Sequence, residues 1–487
     1  MREQATGTTA VGIGRVARRS LFLAAAGACA TLALPAPTLA ASIRLRPVPK
    51  KLPAPARELL VPEAFPTVRA ALDAARPGDH ISLADGRYDG DREWSWSGGT
   101  GDGRFLVIKA RSRHRAVFTG RIRILSPYLW VNGLRTTFMG PDYDWGASQA
   151  GTNDYYALRI EASHVRVTRC AIQSLGGLRI YDPSPSLTDI IIAYNDFTGA
   201  RPNRFLGAQL FIGDVVAESR GPTQVDIAYN YFNDIYPHPD SLPGGIEVPL
   251  NERMGIYLGH SKPGSHPTGT NRSIRIHHNV LLGHRAYAIY TKRHVYIGFN
   301  YVRTVAPPHF YNQIGFRHGG GPPGQGGIIE GNFANGVGFF VNDIGARVLG
   351  NAGPNGSIRL FCGAGTWDAS AGRYTSLRQA ASDTLIVGNR VRRYAVGVFR
   401  PSTKPQFLLE SQGGRVANVR IFMDGRGTIG DVDFRPNVPL PGPDHQPGPL
   451  TEPYLRSTIG IDAGGDGGYA YPAPVTSGLL GQVGTDA

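Results

Sequence analysis

The sequence predicts an all-β fold: a right-handed parallel β-helix solenoid with an N-terminal capping helix. Three observations carry that expectation. A β-rich run leads repeatedly to an asparagine, in Ile191-Ile-Ala-Tyr-Asn195, Val225-Asp-Ile-Ala-Tyr-Asn230, Ile274-Arg-Ile-His-His-Asn279 and Val295-Tyr-Ile-Gly-Phe-Asn300. The series continues in Ile328-Ile-Glu-Gly-Asn332, Val348-Leu-Gly-Asn351 and Leu385-Ile-Val-Gly-Asn389. The shortest spacings are 21 residues (279 to 300) and 19 (332 to 351), and the longer ones fit one coil plus an insertion. A period near twenty with one strand-to-turn asparagine per repeat describes a solenoid. Finally, the 487 residues include 64 glycines and 37 prolines, with apolar residues in short runs, a pattern of many short strands joined by turns.

In chain order, residues 1–40 read as an export signal. Arg18-Arg19-Ser-Leu-Phe-Leu precedes an alanine-rich apolar run ending near Leu34, and Thr38-Leu-Ala40 offers small residues for cleavage. The run is too short to span a bilayer, and paired arginines before Leu-Phe-Leu point to the folded-protein (twin-arginine) route. Ala26-Gly-Ala-Cys29 lacks the leucine of a lipoprotein box. Residues 41–60, proline-rich and basic, read as a linker. Residues 66–79 then predict a short amphipathic helix. Thr67 caps it, Val68, Ala71, Leu72 and Ala75 form its apolar face, and Pro77-Gly78 stops it. Such a helix has work to do, because an open solenoid end exposes apolar residues and unpaired strand edges. Ile81 to Tyr88 alternates as a first strand, and the repeat domain is expected over 61–425. Insertions at 237–253 and 262–272 should protrude beside a groove. From 426 to 487 the repeat fades into a proline- and glycine-rich tail, read as irregular.

Stacking sets the chemistry of the interior. A coil cannot bury its inward face alone, and asparagines at one bend of each coil can bond their amides up the stack. With the signal removed only Cys170 and Cys362 remain, too few for a disulfide framework, so the packed core must hold the chain together. The two thiols read as buried in separate coils.

Net charge is +14, with an isoelectric point near 9.8. Such a chain attracts polyanions: nucleic acid, anionic lipid or acidic polysaccharide. No long lysine/arginine run or nucleic-acid-binding motif follows Lys51, and no further segment is apolar enough to span a membrane. A mid-chain stretch suits an acidic polysaccharide. Lys292 and Arg317 each end a strand one coil apart, with Arg285 and Arg293 nearby. Cleaving a 4-linked uronate polymer by β-elimination requires three things: neutralising the C5 carboxylate, a base for the C5 proton, and a proton for the leaving oxygen at C4. A lysine whose pKa neighbouring cations depress can serve as base, and an arginine can hold the enolate-like charge bidentately.

The residues also carry a family resemblance. Pro66 to Tyr88, with Ala-Ala-Leu-Asp-Ala-Ala-Arg-Pro-Gly-Asp and Leu-Ala-Asp-Gly-Arg-Tyr, resembles the opening of polysaccharide lyase family 6, the alginate and chondroitin B lyases. Tyr290-Thr-Lys292 is similar to the segment holding the family's catalytic lysine. Gly315-Phe-Arg317-His318-Gly319 is similar to its Arg-His-Gly segment, and Gly331-Asn332-Phe333 to a family turn. The likeness covers about 60–400 and is motif-deep. It implies Lys292 as general base and Arg317 as general acid or enolate stabiliser. It also exposes a departure. The family places two glutamates seven and five residues before the lysine, where they bind the calcium that neutralises the carboxylate. Those positions here are Arg285 and Tyr287. A guanidinium has no lone pair to offer calcium but can itself neutralise a carboxylate. The expectation is therefore a site with no metal and no other cofactor, in which Arg285 supplies the fixed charge.

Tyr287, Tyr290, His318 and His260 are the remaining substrate-binding candidates. Each has a structural alternative: packing on strands for the tyrosines, turn hydrogen bonds for the histidines. His277 and His278 precede a ladder asparagine, and at least one should point outward because strand sides alternate. Asp343 stands alone, without the second carboxylate that a glycoside hydrolase needs. The leading expectation is an exported, periplasmic or secreted lyase acting on an alginate-like uronate polysaccharide. It should be monomeric, without stable membrane association and without nucleic acid. A hydrolase on the same scaffold, or a glycan-binding β-helix without activity, stays open at this stage.

Overall fold

The computed structural model describes residues 45–89, 93–97, 102–138, 156–174, 177–181, 187–199, 207–213, 222–233, 241–242, 246–247, 253–259, 270–284, 288–291, 294–303, 313–317, 327–335, 338–342, 346–361, 364–368, 373–378, 385–387, 389–397, 419–422, 432–434 and 459–462. The chain divides into two units, Met1–Ser42 and Ile43–Ala487. The first lies wholly outside the described residues, and with it the expected signal.

The second unit is a parallel β-helix, as the asparagine spacing predicts. One face is a 14-stranded parallel sheet that runs from Glu58–Val61 through His80–Leu83, Leu106–Ala110 and Leu129–Asn132 to Ile459–Asp462. The remaining coil strands fall into two further parallel ladders. A second face takes the strands that follow each asparagine, such as Ala171–Ser174, Asp196–Gly199, Tyr231–Asn233, Val280–Leu282 and Tyr301–Arg303. A third face stacks Arg121–Ile124, Leu158–Ile160, Leu178–Tyr181, Gly207–Gly213, Arg253–Gly259, Ile289–Thr291, Gln313–Arg317 and Gly338–Asn342. The long strand Ala352–Phe361 belongs to both, pairing first with Phe333 and then with Phe339–Val341. Alternate residues point inward in register. Val165, Ile190, Val225 and Ile274 form one fully buried column, and Leu158, Leu178, Leu210, Ile256 and Ile289 another.

Among the described residues a ladder asparagine stands at seven successive bends between the first and second faces. Asn195, Asn230, Asn279, Asn300, Asn332, Asn351 and Asn389 are all buried. Every Nδ2 from Asn195 to Asn351 donates to the Oδ1 of the next asparagine, at 2.8–3.0 Å. The backbone N–H of the same residue donates to that Oδ1 too, and the second amide proton goes to a carbonyl of the coil before. Each buried amide is thus fully satisfied. Cys170 occupies the rung before Asn195, donating its N–H to that Oδ1; it is a buried free thiol, pushed up to about 12 by burial.

At these bends the residue just before the asparagine, or before Cys170, has a left-handed backbone. Arg169, Tyr194, Tyr229, His278, Phe299, Gly331 and Gly350 all have φ between 53° and 59°. A side chain there costs about 1–2 kcal/mol. The rings offset part of that cost by stacking: Tyr194 on Tyr229 at 5.1 Å, Tyr229 on His278 at 4.9 Å and His278 on Phe299 at 5.1 Å. His277, by contrast, is buried on the outer side of the first face, with Nδ1 3.0 Å from the His278 Nδ1.

Val68–Ala74 forms the helix. The Thr67 side chain accepts from the Ala70 N–H at 3.1 Å, and Val68, Ala71 and Leu72 pack into the core beside the first strands. Ala75, expected on the apolar face, is the C-cap and only half-buried. The expected strand from Ile81 to Tyr88 is two strands, His80–Leu83 and Gly86–Tyr88, on different faces. A strand also precedes the helix, at Glu58–Val61 within the stretch read as linker. Earlier in that stretch Arg46 bonds Asp226 and Asp189 at 2.7 Å each and the Gln224 carbonyl at 2.7 Å, while Val48 packs beside Ile191, Ala193 and Tyr194. At the other end, Val432–Phe434 and Ile459–Asp462 continue the stack beyond residue 425. Three- and four-residue strands separated by proline-rich insertions hide that continuation in the sequence.

Candidate functional site

Parallel strands in register put outward side chains in columns about 4.8 Å apart along the stack. On the third face the middle outward column reads Ser95, Arg123, Arg159, Arg179, Phe211, Tyr257, Tyr290, Gly315. This column leads to the two cationic positions singled out in the sequence. Thr291 pairs with Phe316, and in the sequence Lys292 follows the one and Arg317 the other. Arg317 closes its strand, opposite Asn342 of the following coil. Lys292, Arg285, Tyr287, His318 and His260 lie outside the described residues, as do Arg293 and Asp343, and for Arg317 the backbone alone is described.

Tyr290 is described in full. Its strand neighbours Ile289 and Thr291 turn inward and are buried, so the Tyr290 ring lies on the outer side. There it stacks nearly parallel on Tyr257 at 5.1 Å, Tyr257 stacks on Phe211 at 5.2 Å, and Phe211 on Tyr156 at 5.9 Å. Tyr290 is 4% exposed and Tyr257 half-buried. The packing alternative raised for the tyrosine therefore describes most of its ring surface.

A second anchor is built around His284, the residue before Arg285 in the sequence. His284 is buried and its Nε2 lies 2.9 Å from Gln209 Oε1, while Gln209 Nε2 donates to the Asn233 carbonyl at 3.0 Å. Because Gln209 uses its amide NH2 on Asn233, its oxygen accepts, and His284 Nε2 is the donor. Gly255 makes room: a Cβ there would meet the Ala288 carbonyl at 2.6 Å and His284 Nε2 at 3.1 Å. The Ala288 carbonyl accepts from the Ile256 N–H at 2.9 Å.

Toward the N-terminal coils the column turns cationic. Arg123 bonds Glu161 at 2.7 Å and Glu93 at 2.9 Å, Arg121 bonds Glu93 at 3.0 Å, and Arg159 pairs with Glu161 at 3.0 Å. The Glu161 and Glu93 hydrogen bonds raise the Arg123 pKa, so that guanidinium stays charged at any working pH. Tyr181 carries two cations over its ring, Arg159 at 3.9 Å and Arg179 at 4.8 Å. Sequence reasoning passed over these arginines. The signal was present in the runs Arg121-Ile-Arg-Ile124, Leu158-Arg-Ile160 and Leu178-Arg-Ile-Tyr181, where an arginine fills the outward slot of three successive coils.

The calcium of the resembled family does not fit these residues. Its ligand positions fall on Arg285 and Tyr287, a permanent cation and a neutral phenol, whereas calcium takes carboxylate and carbonyl oxygens. Among the described residues no group of three or more histidine, cysteine, aspartate or glutamate side chains gathers elsewhere.

No family model matches the chain, and no curated protein matches it either. Solved structures do. The chain is similar to the PL6 family polysaccharide lyase Pedsa3628 from Pseudopedobacter saltans, at 14% identity and TM-score 0.53 over 89% of this chain and 99% of that one. It is also similar to a mannuronic acid specific family 6 lyase from human gut microbiota, at 18% identity, TM-score 0.45 and 75% and 80% coverage. A PL6 alginate lyase in complex with a trisaccharide gives 14%, TM-score 0.49 and 77% and 79% coverage. The first of these likenesses establishes the fold: the chain has the parallel β-helix architecture found in polysaccharide lyases, over nearly its whole length.

Proposed function

We propose that the protein is an exported polysaccharide lyase that cleaves a uronate-containing, alginate-like polysaccharide by β-elimination without calcium. The observation that carries this reading is the register of the third face. Thr291 lies opposite Phe316, and Lys292 and Arg317 are the residues that follow them in the sequence, on a fold shared with a family 6 lyase. In this mechanism Lys292 takes the C5 proton as general base. Arg317 either stabilises the enolate-like charge on the carboxylate or, as general acid, gives a proton to the C4 oxygen as that bond breaks, leaving a C4–C5 double bond in the new chain end. Arg285 neutralises the carboxylate and lowers the lysine pKa by like-charge proximity. Tyr290, braced by Tyr257 and Phe211, borders the sugar-binding side, with Tyr287, His318 and His260 as further contacts. The protein works as a monomer in the periplasm or medium.

The test is the ultraviolet absorbance of unsaturated uronate after incubating the mature chain with alginate, its mannuronate and guluronate blocks, dermatan sulfate and glucuronan. Parallel reactions contain a chelator. The expected result is activity that survives chelation and disappears in Lys292→Ala and Arg317→Ala. Activity abolished by the chelator would remove the role given to Arg285. Binding without any unsaturated ends would replace the lyase with a glycan-binding protein, a reading that the loss of both glutamates favours.

A further inference from the structure

We propose that Asp226, His277 and His278 form a proton-sensitive latch for the segment 45–50, which lies on the outer side of the first face at neutral pH and leaves it in acid. The inference owes nothing to the lyase reading. The segment climbs the stack by one coil for every two residues. The Lys50 carbonyl accepts from Arg169, Val48 packs beside Ile191, Ala193 and Tyr194 of the next coil, and Arg46 reaches Asp226 of the coil after that. Pro47 and Pro49 have no N–H to offer the sheet, so the charged anchorage falls to the Arg46 guanidinium. A tie held by so few contacts opens at far lower cost than the stacked coils beneath it.

Asp226 is fully buried and already shared. Arg275 donates to both of its oxygens, at 2.5 and 2.7 Å, and Arg46 donates to Oδ2 at 2.7 Å. Arg46 also holds Asp189, which keeps Arg166 and His164 as further partners. Three guanidinium groups thus face two carboxylates, one positive charge in excess before any histidine takes a proton. The buried His277 Nε2 stands 3.7 Å from Asp226 Oδ1, too far for a hydrogen bond. Its Nδ1 lies 3.0 Å from the His278 Nδ1, so one of those two nitrogens carries a hydrogen. A lone pair on His277 Nε2 would face a carboxylate, so neutral His277 keeps its hydrogen there and accepts at Nδ1. His278 then donates from Nδ1 and keeps its lone pair on Nε2, in a half-buried ring stacked between Tyr229 and Phe299. A proton taken up at that Nε2 lets the Nδ1 hydrogen pass to His277, which becomes the cation. Three cations, His277, Arg275 and Arg46, then compete for one carboxylate. Arg275 grips it with two bonds and has 9% of its side-chain surface exposed, whereas Arg46 has 27% and gives way. The docked state keeps both rings neutral, burial first of all holding each below the free histidine value. The released state binds protons more readily, so by linkage acid favours release.

The experiment puts a nitroxide label at exposed Pro47, as Pro47→Cys with Cys362→Ser in the full mature chain. Its electron paramagnetic resonance spectrum is followed from about pH 8 to about pH 3.5, with far-ultraviolet circular dichroism on the same samples. The label should be immobilised at neutral pH and mobile in acid, with a midpoint between about 4 and about 6.5 and the dichroism intact. In Arg46→Ala it should be mobile throughout. His278→Phe keeps the ring stack but takes no proton, and should hold the label immobile across that range. If this variant does not fold, the unsubstituted titration decides alone. A label that stays immobile in acid on a folded solenoid, or one freed only as the dichroism is lost, overturns the latch. An acid midpoint that His278→Phe leaves in place does the same.

Discussion

Residue by residue, the ladder asparagines carry the largest single-site stakes. Asn300 accepts from the N–H and Nδ2 of Asn279 and donates to the Ile276 carbonyl and to Asn332. Asn300→Ala strands those partners in a dry interior, and the expected loss is about 3 kcal/mol or more, read from urea unfolding. An unchanged midpoint would mean that water replaces the amide. His278 makes a different prediction. Burial first, and His277 second, push it down to about 4, against about 6.5 for a free histidine. The unfolded chain therefore takes up the proton first as pH falls. Stability is complete above about pH 6.5, declines toward pH 4 by up to about 3 kcal/mol, and levels off below. His278→Phe keeps the ring stack, as Phe299 does at the equivalent position, and should flatten that decline; parallel pH profiles for the two proteins would sink the assignment.

At the level of strands and turns, the sequence was legible where a local rule repeats and opaque where partners are far apart. The asparagine period revealed the bends, and Thr67 with its apolar triad revealed the helix, because each is written within a few residues. The left-handed residue at each of these bends was not legible, since Arg, Tyr, His, Phe and Gly all occupy it and share no side-chain type. Nor was the arginine column, whose members align only after loops of unequal length are closed. Of the candidate site, the strand ends holding Tyr290 and Arg317 follow the expected coils, while the His284–Gln209 anchor joins residues 75 apart and left no motif. Within one strand, Gly298 shows how tightly an outer face is built. The Tyr296 ring lies across it and its hydroxyl donates to buried Glu330 at 2.5 Å. Burial, first of all, raises the pKa of both groups. Gly298→Ala should displace the ring and cost about 2–3 kcal/mol, measured by thermal unfolding; a neutral result would show that the face relaxes freely.

For the second unit as a whole, the segment around Arg46 ties coils that are distant in sequence. Its partners Asp189 and Asp226 lie 143 and 180 residues away, which is why a basic, proline-rich stretch reads as a mere linker. Both aspartates keep other partners, Arg166 and His164 for one and Arg275 for the other. Burial alone would raise Asp189, but hydrogen bonds from Arg166 and His164 outweigh it and hold the carboxyl at about 2. Arg46→Ala should therefore cost only about 1–2 kcal/mol, less than a sole-partner ion pair, with Arg46→Lys recovering part. A loss above about 4 kcal/mol would mean that the segment holds the first face shut rather than trimming it.

The asparagine ladder has one more consequence, for how such a molecule can change. Its links span intervals of 35, 49, 21, 32, 19 and 38 residues, yet every amide bond between rungs keeps the same geometry. The bends act as fixed rivets on a hull whose panels are cut to any length. Lineages of this chain are free to lengthen or shorten the chain between rungs without disturbing a rivet. Substrate preference can drift while the frame stays the same.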